Sequence, residues 1–187
     1  MNIKYNYLPL LISLFLIPTA KSAETIFLYK GTFNRSISIE ELDKFKKTKL
    51  PSAKLKNLIK ITNQNKKDLH KFFSYQIEIP IKPSSKLMNS KIGKVFLYRL
   101  SKIIHPNKIL NKNISAKAIR SGIILSSYKN SQKINIIDFF QAYPNKNIAI
   151  DLNGLNNALK KVESLKDLIE FYSGEPFKKL KDGRSKT

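Results

Sequence analysis

Between Arg35 and Phe45 the sequence RSISIEELDKF changes its hydrophobic period, a pattern that fits a strand running directly into a helix. Ile37 and Ile39 alternate with polar residues, whereas Leu42 and Phe45 recur three apart, as on one side of a helix. Ser38 and Glu41 have the spacing of a capping box. In it the serine oxygen accepts from the amide three residues on, and the glutamate reaches back to the serine amide. Arg35 is the sole arginine before Arg99 and stands beside this box. Arg35, Ser38 and Glu41 are therefore the candidate organising junction of the fold.

Upstream, TIFLY within ETIFLYKGTF reads as a strand with Ile26 and Leu28 on one side and Phe27 and Tyr29 on the other, so both faces call for cover. Downstream the pattern is helical. Pro51 opens a helix carrying Leu55 and Leu58, and NKKDLHKFFSY continues with Leu69 and Phe72 or Phe73. The prolines of IEIPIKP mark an extended connector. KIGKVFLYRLSKIIH reads as one helix that Pro106 stops. SAKAIRSGIILSSY is a helix that Gly122 lets a neighbour approach, and NIIDFFQAYP is a short helix ending near Pro144. NIAIDL is a brief strand. A last helix follows from Leu155 to Tyr172, capped by Asp151 or Asn153 and stopped at Gly174 and Pro176. These elements predict a mainly α fold: a compact bundle of six to seven helices, with a small two-strand element pairing Thr25–Tyr29 with Asn147–Leu152.

The ends carry different information. MNIKYNY, the eleven apolar-rich residues Leu8 to Pro18, and the small residues of TAKSAE have the three-part organisation of a signal peptide. Cleavage is expected between Ser22 and Ala23. A signal anchor is the alternative, but the apolar run contains two prolines and falls short of the roughly 20 residues of a membrane span. The expected organisation is a signal peptide over 1–22, one helical domain over 23–176 and a flexible basic tail over 177–187, exported to the periplasm or beyond. An exported chain with no cysteine rests on its core packing, and it cannot use thiolate ligands or a cysteine nucleophile.

The net charge of +22 suggests anionic partners, yet all but four of the 35 basic residues are lysine. Phosphate-reading sites exploit the planar fork of arginine. The lysines are scattered from Lys30 to Lys186, and they accompany abundant asparagine and isoleucine as A/T-rich codon usage would produce. Specific nucleic-acid binding is not expected, and membrane contact is expected to be peripheral at most. None of the six glycines are four apart, so no G-x-S-x-G elbow exists. His70 falls in a helix among lysines, and His105 precedes a proline at a helix end. Two distant histidines do not make a zinc site. No catalytic, metal or cofactor-binding residue is assigned and no cofactor is implied.

Taken in order, TIFLYKGTFNRSISIEELDKF, AIRSGIILSS and FFQAYPNKNIAIDLNGLNNAL resemble the N-terminal domain of unknown function that precedes the catalytic domain in a bacterial family of predicted α/β-hydrolases. Where members of that family often carry arginine before IDL, this chain has Ala149. The resemblance covers residues 25 to 172. It extends to no nucleophile elbow or triad, so it transfers no catalytic residue. It implies a non-catalytic accessory module whose partner is a separately encoded hydrolase or a cell-envelope component. Two other readings are a basic surface protein for anionic lipid or polymer, and a hydrolase with an unrecognised site. N-terminal sequencing of the protein recovered from the cell envelope is expected to start at Ala23; retention of Met1 would replace cleavage with an anchor.

Overall fold

A computed structural model describes residues 22–62 and 64–159, with the side chains of 156–159 excepted. Strand β1 (Thr25–Lys30) turns back at Gly31–Thr32 into β2 (Phe33–Ser38), with Lys30 opposite Phe33. Gly31 has φ +59°, the left-handed conformation that a glycine-first hairpin turn requires. Helices α1 (Ile39–Thr48), α2 (Ala53–Thr62) and α3 (Lys66–Ser74) follow. Next come β3 (Ile77–Glu78), α4 (Ile81–Asn89), α5 (Lys91–Leu100) and β4 (Ile104–Pro106). The described residues end with α6 (Lys112–Lys129), β5 (Lys133–Ile134), α7 (Ile136–Ala142), β6 (Asn147–Asp151) and α8 (Leu152–Leu159).

The expected pairing of Thr25–Tyr29 with the segment from Asn147 forms. It runs parallel, from Thr25 opposite Asn147 to Tyr29 opposite Asp151. It is, however, the centre of a four-stranded mixed sheet in the order β2-β1-β6-β4, and β3 and β5 form a second, two-stranded sheet. The mainly α bundle with one small strand pair is therefore wrong: the fold is an α/β mixture of eight helices and two sheets among the described residues.

Each discrepancy has a local cause. GTFNRSIS continues the strand pattern of TIFLYK, but the chain reverses at Gly31 and adds β2. The helix expected to reach Pro106 ends at Leu100, and Ile104–Pro106 joins β6 antiparallel as an edge strand, a position that tolerates a residue without an amide proton. Pro80 and Pro83 do not prevent a helix either. Pro80 is the N-cap of α4 and Pro83 lies in its first turn, where amides have no intrahelical partner to lose.

Along β1, β6 and β4 the side chains of Ile26, Ile148, Ile150 and Ile104 share one sheet face and enter the core with Phe45, Ile119, Ile137 and Tyr143. Phe73, Phe139 and Phe140 are core residues too, as their apolar stripes suggest. Gly122 fulfils the close-packing role read from GIILSS: a Cβ there would lie 3.0 Å from the Phe139 ring on α7. The Tyr143 hydroxyl is fully buried with no partner among the described residues, and burial pushes its pKa far up.

Gly93 is the tightest of these contacts. A Cβ on it would run into the Leu87 carbonyl oxygen, so α5 could not keep its position after α4. Gly93→Ala is expected to cost about 3 kcal/mol through a forced backbone shift. Gly31→Ala, strained but uncrowded, should cost about 1 kcal/mol. Urea unfolding of the two variants checks the order, and equal losses would contradict it.

Candidate functional site

The carboxyl ends of parallel strands are where open α/β sheets place their ligands. Here the parallel pairing of β1 with β6 ends at Tyr29 and Asp151, which face each other in register. On the other side of β6, His105 is opposite Ala149. Strand alternation puts Tyr29, Ala149, Asp151 and His105 on the same face, away from the isoleucine core. The small Ala149 leaves the space above β6 open, and Tyr29 and His105 meet across it with Oη and Nε2 3.0 Å apart.

His105, expected at a helix end, is instead a strand residue and 8% exposed. Its Nδ1 lies 3.0 Å from the Pro106 carbonyl oxygen. A carbonyl only accepts, so Nδ1 carries a proton and, in the neutral ring, Nε2 accepts from the Tyr29 hydroxyl. Burial, and then the negative charge of Asp151, raise the Tyr29 pKa and keep the phenol protonated. Asp151 itself caps α8, with Oδ1 accepting from the Asn153 amide at 2.9 Å. Asp151 thus takes the capping role that the sequence divided between it and Asn153. The cluster is a hydrogen-bonded clip from β1 to β4, and a protonated phenol is a poor nucleophile.

His70 lies half-buried on α3, with its ring edge-on to Phe45. Its Nε2 donates to the Lys46 carbonyl oxygen at 2.9 Å. Ser74 Oγ is 3.4 Å from the same nitrogen, but a nitrogen that carries a proton for a carbonyl cannot take one from a serine. Among the described residues no group of three or more His, Cys, Asp or Glu is placed to hold a metal. No helix among them is long and apolar enough to cross a membrane.

At the opening junction the structure brings together two of the three residues singled out. Ser38 Oγ accepts from the Glu41 amide at 3.0 Å, and the Ser38 amide donates to Glu41 Oε2 at 3.2 Å, which closes the capping box. Arg35 is apart from it. Its Nη1 donates to the Asn34 carbonyl oxygen, and its guanidinium lies 5.1 Å from the centre of the Phe33 ring. Sequence spacing missed Ser52, which accepts from the Leu55 amide at the start of α2 and helps hold the Glu41 carboxylate ionised. Burial opposes ionisation of Glu41, but bonds from Ser52 and Ser38 and the charge of Lys54 outweigh it, so its pKa is lowered. Ser22 and Ala23, the expected cleavage pair, are exposed and buried respectively.

The fold and this clip define an α/β protein with helices packed on a mixed sheet and a polar cluster at the ends of its parallel strands. The chain belongs to the family described as alpha/beta hydrolase of unknown function (DUF1400), whose model matches residues 22–151. No curated protein and no solved structure matches it.

The lowered pKa of Glu41 has a thermodynamic consequence. A carboxylate held below its unfolded value, about 4.3, contributes stability that is present above that pH and is lost as pH falls through the folded pKa. Ser38→Ala is expected to lower stability by about 1 kcal/mol at neutral pH. Glu41→Gln should flatten the acid limb of the stability profile below about pH 4.3, as chemical denaturation across pH would show.

Proposed function

We propose that the chain is an exported accessory module of this hydrolase family that docks on a partner and does not itself hydrolyse a substrate. Its place corresponds to the N-terminal part of predicted α/β-hydrolases, and its partner is a separately encoded hydrolase or a cell-envelope component. The observation that carries this reading is that neither histidine holds a serine on a basic nitrogen among the described residues. His70 spends its Nε2 proton on a backbone carbonyl, and His105 is held between a backbone carbonyl and a phenol kept protonated. The serine near His70, Ser74, faces only that protonated nitrogen, and among the described residues no serine is hydrogen-bonded to a basic histidine nitrogen, the pairing that Ser–His hydrolysis needs. The absence of a G-x-S-x-G elbow from the sequence supports the same reading.

A fluorophosphonate probe and a panel of p-nitrophenyl esters test it. No adduct and no turnover above buffer are expected, and His105→Gln and His70→Gln should behave as the parent. Labelling of a serine, or turnover that either variant abolishes, overturns the non-catalytic reading. Capture from envelope extract is expected to retain a partner at high salt.

A further inference from the structure

The acidic residues of this chain are segregated in a way that codon usage for lysine does not explain. Between Glu78 and Asp138 there is no Asp or Glu, while the same stretch holds twelve Lys and Arg. It folds into α4, α5 and α6, which pack on one another, so the acid-free stretch is also a unit in space. Helix α5 turns Gly93 and Leu97 inward and leaves Ile92, Val95 and Tyr98 exposed by 52%, 52% and 42%. Leu110, in the connection leading to α6, is 79% exposed. The ammonium groups of Lys102 and Lys112 lie 5.6 and 5.4 Å from the centre of the Tyr98 ring, which joins the end of α5 to the start of α6 in one surface. Single exposed apolar side chains are ordinary on a protein surface. Four of them among cations, with no carboxylate in that stretch of chain, form the pattern of a helix that lies in a membrane interface.

We infer that the outer face of α5, with the connection to α6, is a contact surface for an anionic lipid bilayer. Ile92, Val95, Tyr98 and Leu110 enter the headgroup region, and Lys102 and Lys112 engage lipid phosphates. Lysine acts as a point charge on a long apolar stem, which suits a fluid array of headgroups better than the fixed fork geometry of a protein carboxylate site. The apolar groups stand on the outside of a helix, and the pocket at Leu50, Pro51 and Ile59 lies on other elements.

Co-sedimentation of the full chain with phosphatidylcholine vesicles, and with vesicles that also contain phosphatidylglycerol, tests the inference. Binding is expected to the anionic vesicles, weakened but not abolished by high salt because the apolar groups are inserted. Lys102→Ala with Lys112→Ala should lower partitioning about tenfold to thirtyfold. The charge-matched pair Lys56→Ala with Lys60→Ala on α2 should leave it near the parent value. Tyr98→Ser with Leu110→Ser, both at exposed positions, should remove the salt-resistant part, and circular dichroism confirms that each variant is folded. No preference for anionic vesicles overturns the inference, as a surface for an acidic protein would predict. Equal losses from the two lysine pairs would mean net charge alone, and binding indifferent to every variant would assign it to the apolar N-terminal run; either result also overturns it.

Discussion

The parallel pairing of β1 with β6 joins the chain near residue 25 to the chain near residue 147, and the helices from α1 to α7 hang in the loop it closes. Closing so long a loop is entropically costly, but the cost grows slowly with length and is offset by what the pairing assembles. With β2 and β4 added on either side, Ile26, Ile37, Ile104, Ile148 and Ile150 form a continuous apolar floor. The stripes of α1, α6 and α7 need such a floor, since short amphipathic helices gain most of their stability from what they pack against. Phe45, Ile119 and Ile137, one from each of these helices, are fully buried in the same cluster.

Two polar devices hold this arrangement in register. The Ser38–Glu41 box fixes where the second strand gives way to α1, and the Ile39 amide donates to the Glu24 carbonyl oxygen, tying that junction to the start of β1. Ser52, whose hydroxyl accepts from the Leu55 amide at the start of α2, helps keep the same carboxylate ionised. On the opposite side of the sheet the Tyr29–His105 bond crosses β6 and fastens the two outer members of the β1-β6-β4 trio. Both devices satisfy polar groups that burial would otherwise penalise.

The family's description names hydrolases, and the residues on this face form a hydrogen-bonded clip. A fold can host many chemistries, and activity has to be argued from a site. Here the one histidine at the carboxyl ends of the parallel strands is held by a carbonyl on one nitrogen and a phenol on the other. What the surface offers in abundance is positive charge, concentrated by the removal of acids from α4 to α6 rather than by a cluster of lysines. That distribution is visible in the sequence, but it gains meaning when the helices are seen to form one packed unit with exposed apolar side chains.

Interactions that span three or four residues were legible from the sequence alone. The capping box at Ser38 and Glu41 depends on one turn of backbone, and so do the boundaries of α7, whose Asn135 and Asp138 form a second box. The apolar phases of Phe45, Phe73 and Phe139 and the small residue at Gly122 were legible for the same reason, and so was the alternation that matched β1 with β6. The rest of the final helix expected from Leu155 to Tyr172 lies beyond the described residues. Tertiary structure alone decided that Gly31 reverses the chain, that Ile104–Pro106 leaves its helix to become a strand, and that Pro80 and Pro83 begin a helix instead of forming a connector. It also decided that His105 meets Tyr29, 76 positions away in the chain. A short apolar segment is nearly neutral between helix and strand, and the hydrogen bonds offered by β6, a partner remote in sequence, settle which one Ile104–Pro106 becomes.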